Sequence, residues 1–358
     1  ASTLRKRVSH PVNEPDAIDD EALFVNGSLL VDMRVKELVG RKLNKSTVLA
    51  QGDRIAVAHL SEGVAREFGE GLREPLTRSK SKRLMKECEI LEAEELPMPR
   101  YPWDLVASNA DLLCQDFFAS GGKESGGAMD DRVCVYGDEA NVYVGKGAFV
   151  EAYVTLDARG GPIYMGDEAV VQAGSRIDGP AYVGDETVIA SALVRGCCSI
   201  GRVCRVGGEL EETVVQGYTN KHHAGYIGHS YIGEWVNIGA DTTNSNLKNT
   251  YGTVRVVVRE RSVDTGQTKV GCYVADHAKT SIGTQIYTGR KIGVASHVHG
   301  FITEDVPSFT IWAKSLGPQP TELQLRSAIE TQRRMMARRE VEQTKEDVEL
   351  LKKVFEIT

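Results

Sequence analysis

Three of the eight histidines in this chain, His222, His223 and His229, fall in one short stretch that also carries Lys221, Tyr226 and Asn237. An imidazole titrates near neutral pH, so it can take the proton an amine must lose before it attacks a carbonyl carbon. The oxyanion formed in that attack can be met by backbone N–H groups or amide side chains. Attack of an amine on a thioester needs no enzyme-bound intermediate, so no nucleophilic Ser or Cys is required. Adjacent Cys197 and Cys198 then read as small residues of a repeat. Metal ligation is the weaker alternative. The spacings among His222, His223, His229, His277, His297 and His299 fit no zinc pattern, and no carboxylate stands at ligand spacing. No metal site is expected.

Glycine marks the elements that must position these residues. All but seven of the 36 glycines lie between residues 121 and 300, and aliphatic residues recur there at a step of six. Val144-Gly145, Val150 and Leu156 open the pattern. Met165-Gly166, Val171, Ile177, Val183-Gly184 and Ile189 form its longest run. Ile200-Gly201 and Val206-Gly207 follow, then Ile232-Gly233 and Ile238-Gly239. A last run reads Val270-Gly271, Asp276, Ile282-Gly283, Thr288-Gly289, Val294 and Gly300. A period of six with an inward aliphatic and a following glycine is the signature of a parallel β-helix. Each coil buries its apolar residue only against its neighbours, so the repeat is stable only as an array. Residues 208–226 and 241–269 break the register and are expected to leave the coil as functional insertions.

The flanks read differently. Leu23-Phe24-Val25 followed by Asn26-Gly27 predicts a strand running into a turn. Residues 1–122 are expected to form an α/β piece, with a basic cluster at 78–83 on a solvated helix or loop. Residues 123–132 read as a linker, 133–302 as the solenoid and 303–320 as a Pro-containing linker. Residues 321–358 read as one charged helix, capped by Thr321 and Gln324. Its loose stripe of Leu325, Ile329, Val341, Val348, Leu351 and Phe355 is expected to pack on the solenoid or on a neighbouring subunit.

The 358 residues carry 43 basic and 50 acidic side chains, a net charge of −7, which argues against nucleic acid as a partner. No apolar run is long enough for a membrane span. Seven cysteines without a CxxC pair suit a reduced, cytoplasmic protein. The absence of a starting Met is read as processing, or as excision from a longer chain.

Residues 133–312 resemble the acetyltransferase domain of the bifunctional N-acetylglucosamine-1-phosphate uridylyltransferase/glucosamine-1-phosphate N-acetyltransferase family. The likeness is strongest to a divergent bacterial and archaeal branch described as sugar nucleotidyltransferases. It rests on His223-Ala224-Gly225-Tyr226 and Val236-Asn237-Ile238-Gly239-Ala240, with Asn244-Ser245-Asn246 and Asp276-His277-Ala278 following. The resemblance implies a mainly β fold: a left-handed parallel β-helix in a homotrimer, preceded by a partial nucleotidyltransferase-like α/β domain and followed by a helix. It implies His223 as general base, with Arg195, Tyr226, Asn237 and Asn246 around an amino-sugar phosphate. Ala240, Ala278 and Ser296 would contact acetyl-CoA. Glu211 stands where the better-studied branch has a phosphate-binding Lys, and Leu247 where it has Tyr. Tyr101-Pro102-Trp103-Asp104-Leu105-Val106 resembles the end of a sugar nucleotidyltransferase domain, whose activity would need Mg2+. The family's glycine-rich nucleotide loop is absent, Gly69-Glu70-Gly71 being the nearest approach. This chain is therefore expected to transfer an acetyl group and not a nucleotidyl group; the alternative is a nucleotidyltransferase whose solenoid is an oligomerisation scaffold.

Overall fold

The computed structural model describes residues 21–31, 46–52, 54–71, 88–93, 96–120 and 125–358, with single positions 35, 79, 82, 83 and 86. The chain divides into two compact units, Ala1–Arg100 and Tyr101–Thr358. The first contains β1 (Ala22–Val25), β2 (Thr47–Gln51), β3 (Arg54–Leu60) and β4 (Glu89–Glu92), in the spatial order β1-β3-β2-β4. Strand β3 is antiparallel to β1 and β2, and β4 is parallel to β2. Val48, Ala50, Ala58 and Leu60 pack against Ala65 of helix α1 (Glu62–Gly71). The expected strand at Leu23-Phe24-Val25 is β1, and Asn26 accepts the Ser28 N–H at 2.9 Å in the turn that follows. Gly69-Glu70-Gly71 ends α1 and forms no nucleotide loop. The 78–83 cluster lies largely outside the described residues; Arg83 pairs with Glu67 at 2.5 Å on the surface.

The second unit is a left-handed parallel β-helix. Its first coil strand, Ala128–Met129, pairs with Phe149–Val150, and Thr310–Trp312 pairs with His297–Val298 at the far end. Gly126 and Ala128 already donate to the next coil, so the latter part of the expected linker belongs to the solenoid. Val150, Leu156, Val171, Ile177, Val183, Ile189, Ile200, Val206, Ile232 and Ile238 are at most 2% exposed, which places the first four runs in the core. The last run is out of phase. Ile282 is 78% exposed, and the inward column runs through Val274, Thr280, Ile286, Ile292 and Val298 instead. A six-residue period fixes spacing and leaves phase open. Close stacking explains one glycine directly: a Cβ on Gly207 would stand 2.0 Å from the His222 carbonyl oxygen.

Residues 208–226 do not leave the coil. Glu209, Leu210 and Glu211 pair with Tyr226, Ile227 and Gly228, while Val214 and Val215 pair with Tyr231 and Ile232. The excursion is within 241–269, where Arg255–Val258 and Arg261–Asp264 form an antiparallel hairpin. Helix α2 (Pro102–Ala119) clamps the hairpin base: Trp103 packs with Val254, Val256, Val270 and Tyr273. Further along α2, Asn109 donates to the Cys197 carbonyl and accepts from Ser199, both at 2.8 Å. Asp104 accepts the Tyr101 N–H at 3.0 Å and so starts the helix.

The tail is two helices, α3 (Leu325–Ala337) and α4 (Lys345–Ile357). Thr321 lies in a short strand opposite Ile311, and Gln324 makes no side-chain cap, so the expected capping box does not form. The box that forms joins Thr344 and Asp347 at the start of α4. Leu325, Ile329, Leu351 and Phe355 pack with Ala295 and Phe309 of the solenoid, as the apolar stripe predicts. Among the described residues no helix is long and apolar enough to cross a membrane.

Candidate functional site

Three parallel faces carry the outward side chains. One face stacks Thr155–Asp157, Arg176–Asp178, Val194, Glu209–Glu211 and Tyr226–Gly228. The hairpin returns beside its later coils, and a polar cluster forms there. Tyr226 donates its hydroxyl to Glu211 Oε2 at 2.5 Å. Asn246 Nδ2 donates to Tyr226 Oη at 2.7 Å and lies 3.0 Å from His229 Nδ1. His229 Nε2 is 3.3 Å from Glu212 Oε2, and Lys269 Nζ is 3.7 Å from Glu211 Oε1. Arg195 Nε donates to Glu209 Oε1 at 2.6 Å, one ladder step from Tyr226.

The hydrogens in this cluster are directed. Asn246 has two amide hydrogens, and both are used if His229 Nδ1 accepts. That tautomer puts the imidazole hydrogen on Nε2, facing Glu212. Burial outweighs the attraction of Glu212 and Glu211 and lowers the His229 pKa, so the ring is held neutral. Burial would raise the Glu211 carboxyl, but the Tyr226 hydrogen bond and the Lys269 charge outweigh it and hold the pKa down. Burial, then Glu211, push the Tyr226 phenol up, so it remains a donor. The Asn246 side-chain oxygen, Oδ1, is left to meet a ligand.

The structure thus joins Tyr226 to Asn246 and sets Arg195 beside them. It does not bring the other expected residues to this cluster. His223 is exposed, its ring 5.1 Å from that of His222, and its carbonyl accepts from Lys221 Nζ at 2.7 Å. Burial pushes Lys221 down to about 8. Asn237 bridges Asn220 and Lys279 on a different face, where its Oδ1 accepts from Asn220 Nδ2 at 3.0 Å. Ala240 is half-buried and its carbonyl accepts the Gly283 N–H at 2.7 Å.

Ala278 and Ser296 stand apart from Ala240 in their burial. Both are fully enclosed in this chain. The Ala278 carbonyl accepts the Asn237 N–H at 3.0 Å, and Ser296 Oγ donates to the Pro307 carbonyl at 2.6 Å. Their polar groups serve the coil. Sequence reasoning named His229 without giving it a role and passed over Glu209, Glu212 and Lys269. His229 was visible as the third histidine of the stretch; Lys269 is delivered by the hairpin and carries no motif. Among the described residues no three His, Cys, Asp or Glu converge as metal ligands.

Residues 4–123 match the model of the sugar nucleotidyl transferase family. A bifunctional sugar-1-phosphate nucleotidylyltransferase/acetyltransferase of Sulfurisphaera tokodaii is 33% identical over 91 residues, 25% of this chain and 23% of that protein. The bifunctional protein GlmU of Trichormus variabilis is 31% identical over 119 residues, 33% of this chain and 23% of the other. Over these parts the chain is similar to bifunctional proteins of the GlmU type. These matches span about a quarter of the curated relatives' length. The solenoid is also similar to the Arabidopsis UDP-N-acetylglucosamine acyltransferase structure. That likeness has a TM-score of 0.31 at 12% identity and covers 59% of this chain and 76% of the other.

Proposed function

We propose that this chain transfers an acyl group from acetyl-CoA to the amine of an amino-sugar phosphate such as glucosamine 1-phosphate, in nucleotide-sugar biosynthesis. The observation that carries the reading is the Tyr226–Asn246 hydrogen bond of 2.7 Å. It joins the two motif halves in one polar cluster on a hexapeptide solenoid. Arg195 and Lys269 border that cluster and are the cations available to a sugar phosphate. Tyr226 and Asn246 Oδ1 would hold the sugar. His223 would take the amine proton as nitrogen attacks the thioester carbon, and the thiol of CoA leaves with a proton. Asn237 stands on another face, so the reading includes a homotrimer in which a second copy supplies it.

A second reading, sugar-1-phosphate nucleotidyl transfer with the solenoid as scaffold, is favoured by the family match over residues 4–123. Thiol release from acetyl-CoA, with glucosamine 1-phosphate beside other amino-sugar phosphates and nucleotide sugars, separates the two. Turnover is expected with at least one acceptor, and a His223→Ala variant should lose about two to four orders of magnitude of that rate. Full rate in the variant removes His223 from the mechanism. Silence across the panel moves the assignment to nucleotidyl transfer.

A further inference from the structure

We infer that the cavity between the Asn237 face of the solenoid and the C-terminal end of α3 binds a phosphate group carried by an organic ligand. The cavity measures about 260 Å3, and Asn220, Trp235, Asn237 and Lys279 of the solenoid face Arg338 and Arg339 across it. That volume suits a phosphate with part of its carrier; a pocket enclosing a whole ligand runs from about 300 to 1,000 Å3.

Charge is the first argument. Lys279, Arg338 and Arg339 line the cavity and no carboxylate does. Lys279 Nζ reaches the His277 carbonyl at 2.8 Å. Arg205, which acts on Arg339, bonds the carbonyls of Glu186 and Cys204, both at 2.9 Å. Among the described residues no ion pair joins these four cations to an acid. Burial pushes Lys279 down to about 8, and burial followed by Arg205 and Arg338 lowers Arg339. Cations crowded and partly dehydrated without a counter-charge, in a chain of net charge −7, are stabilised by an incoming anion. The α3 C-terminus favours the two arginines only weakly and does nothing to explain Lys279.

Donor geometry is the second. Asn220 donates to Asn237 Oδ1 at 3.0 Å, which fixes that amide and leaves Asn237 Nδ2 free to donate. Trp235 stacks on Tyr218 at 4.2 Å and 9°, and Arg202 covers the Tyr218 ring at 5.2 Å. The aromatic pair is therefore a rigid wall and no platform for a base. Two guanidinium forks, an ammonium and an amide N–H2 suit a phosphate monoester or diphosphate.

The test is equilibrium binding to the full chain in low salt, by calorimetry, with inorganic phosphate, pyrophosphate, CoA, dephospho-CoA and glucosamine 1-phosphate. Saturable binding of at least one is expected. Arg339→Gln and Lys279→Met should each weaken it about tenfold or more, the loss of one charge-assisted contact. Arg339→Lys, which keeps the charge and loses the fork, should fall between, and Arg326→Gln at the far end of α3 should bind as the parent. Comparing the arms identifies the carrier. No saturation at millimolar ligand, or unchanged affinity in correctly folded Arg339→Gln and Lys279→Met, overturns the site. Turnover is not required, so thiol-release silence with phosphate bound here would reject the acyl-transfer reading alone.

Discussion

One buried imidazole, His229, and one half-buried, His297, weaken the fold as the pH falls. His229 is held neutral by burial, against Glu212 and Glu211, and His297 is lowered to about 4 by burial, Lys279 and His299. An unfolded histidine takes a proton near pH 6.5, whereas these two take it only at lower pH. Between those values the unfolded chain binds more protons, so stability falls as pH drops below about 7. His229→Asn keeps an acceptor for Asn246 and removes one titrating group. Its melting temperature should therefore decline less between pH 7 and pH 5 than the parent's; an identical decline would show that His229 is not held neutral. The family resemblance pointed to His223, because a motif names a residue by its neighbours. The directed network around His229 depends on burial and on Asn246 and Lys269 arriving from elsewhere, which no local pattern encodes.

Among the elements, the hairpin and α2 do the positioning. Lys269 reaches Glu211 because the hairpin base is packed under Trp103, which is 3% exposed against Val254, Val256, Val270 and Tyr273. Trp103→Ala should cost about 3–5 kcal/mol, read by denaturant melting, whereas Phe118→Ala at the exposed end of α2 should be nearly silent. Equal losses would mean that α2 is held along its length and not by its tryptophan. The Pro-Trp-Asp stretch was legible as a motif, but its work here is a helix start and a clamp. Periodicity located the coils and their core through Ile238. It failed past the hairpin because Val270 and Ile282 keep the step of six while shifted off the inward column. Thr321 and Gln324 offered a cap in composition, yet pairing of Thr321 with Ile311 draws the residue into a strand first.

At the scale of the whole molecule, the proposed substrate residues lie on two faces of one solenoid. Tyr226 follows the ladder of Glu209, whereas Asn237 follows that of Asn220 and Lys279. A coil's faces diverge around an aliphatic core, so one chain cannot close both onto a single small substrate. Two copies packed side by side can, each lending one face, and a closed ring of such heterologous contacts is a cyclic oligomer. Sedimentation should then find a trimer, with Tyr226→Phe and Asn237→Ala each depressing thiol release. Refolded together, the two variants should recover part of the parental rate, because some mixed interfaces pair an intact Tyr226 with an intact Asn237. Recovery absent from confirmed mixed trimers would place the whole site on one chain, and Asn237 would then belong to the phosphate cavity alone.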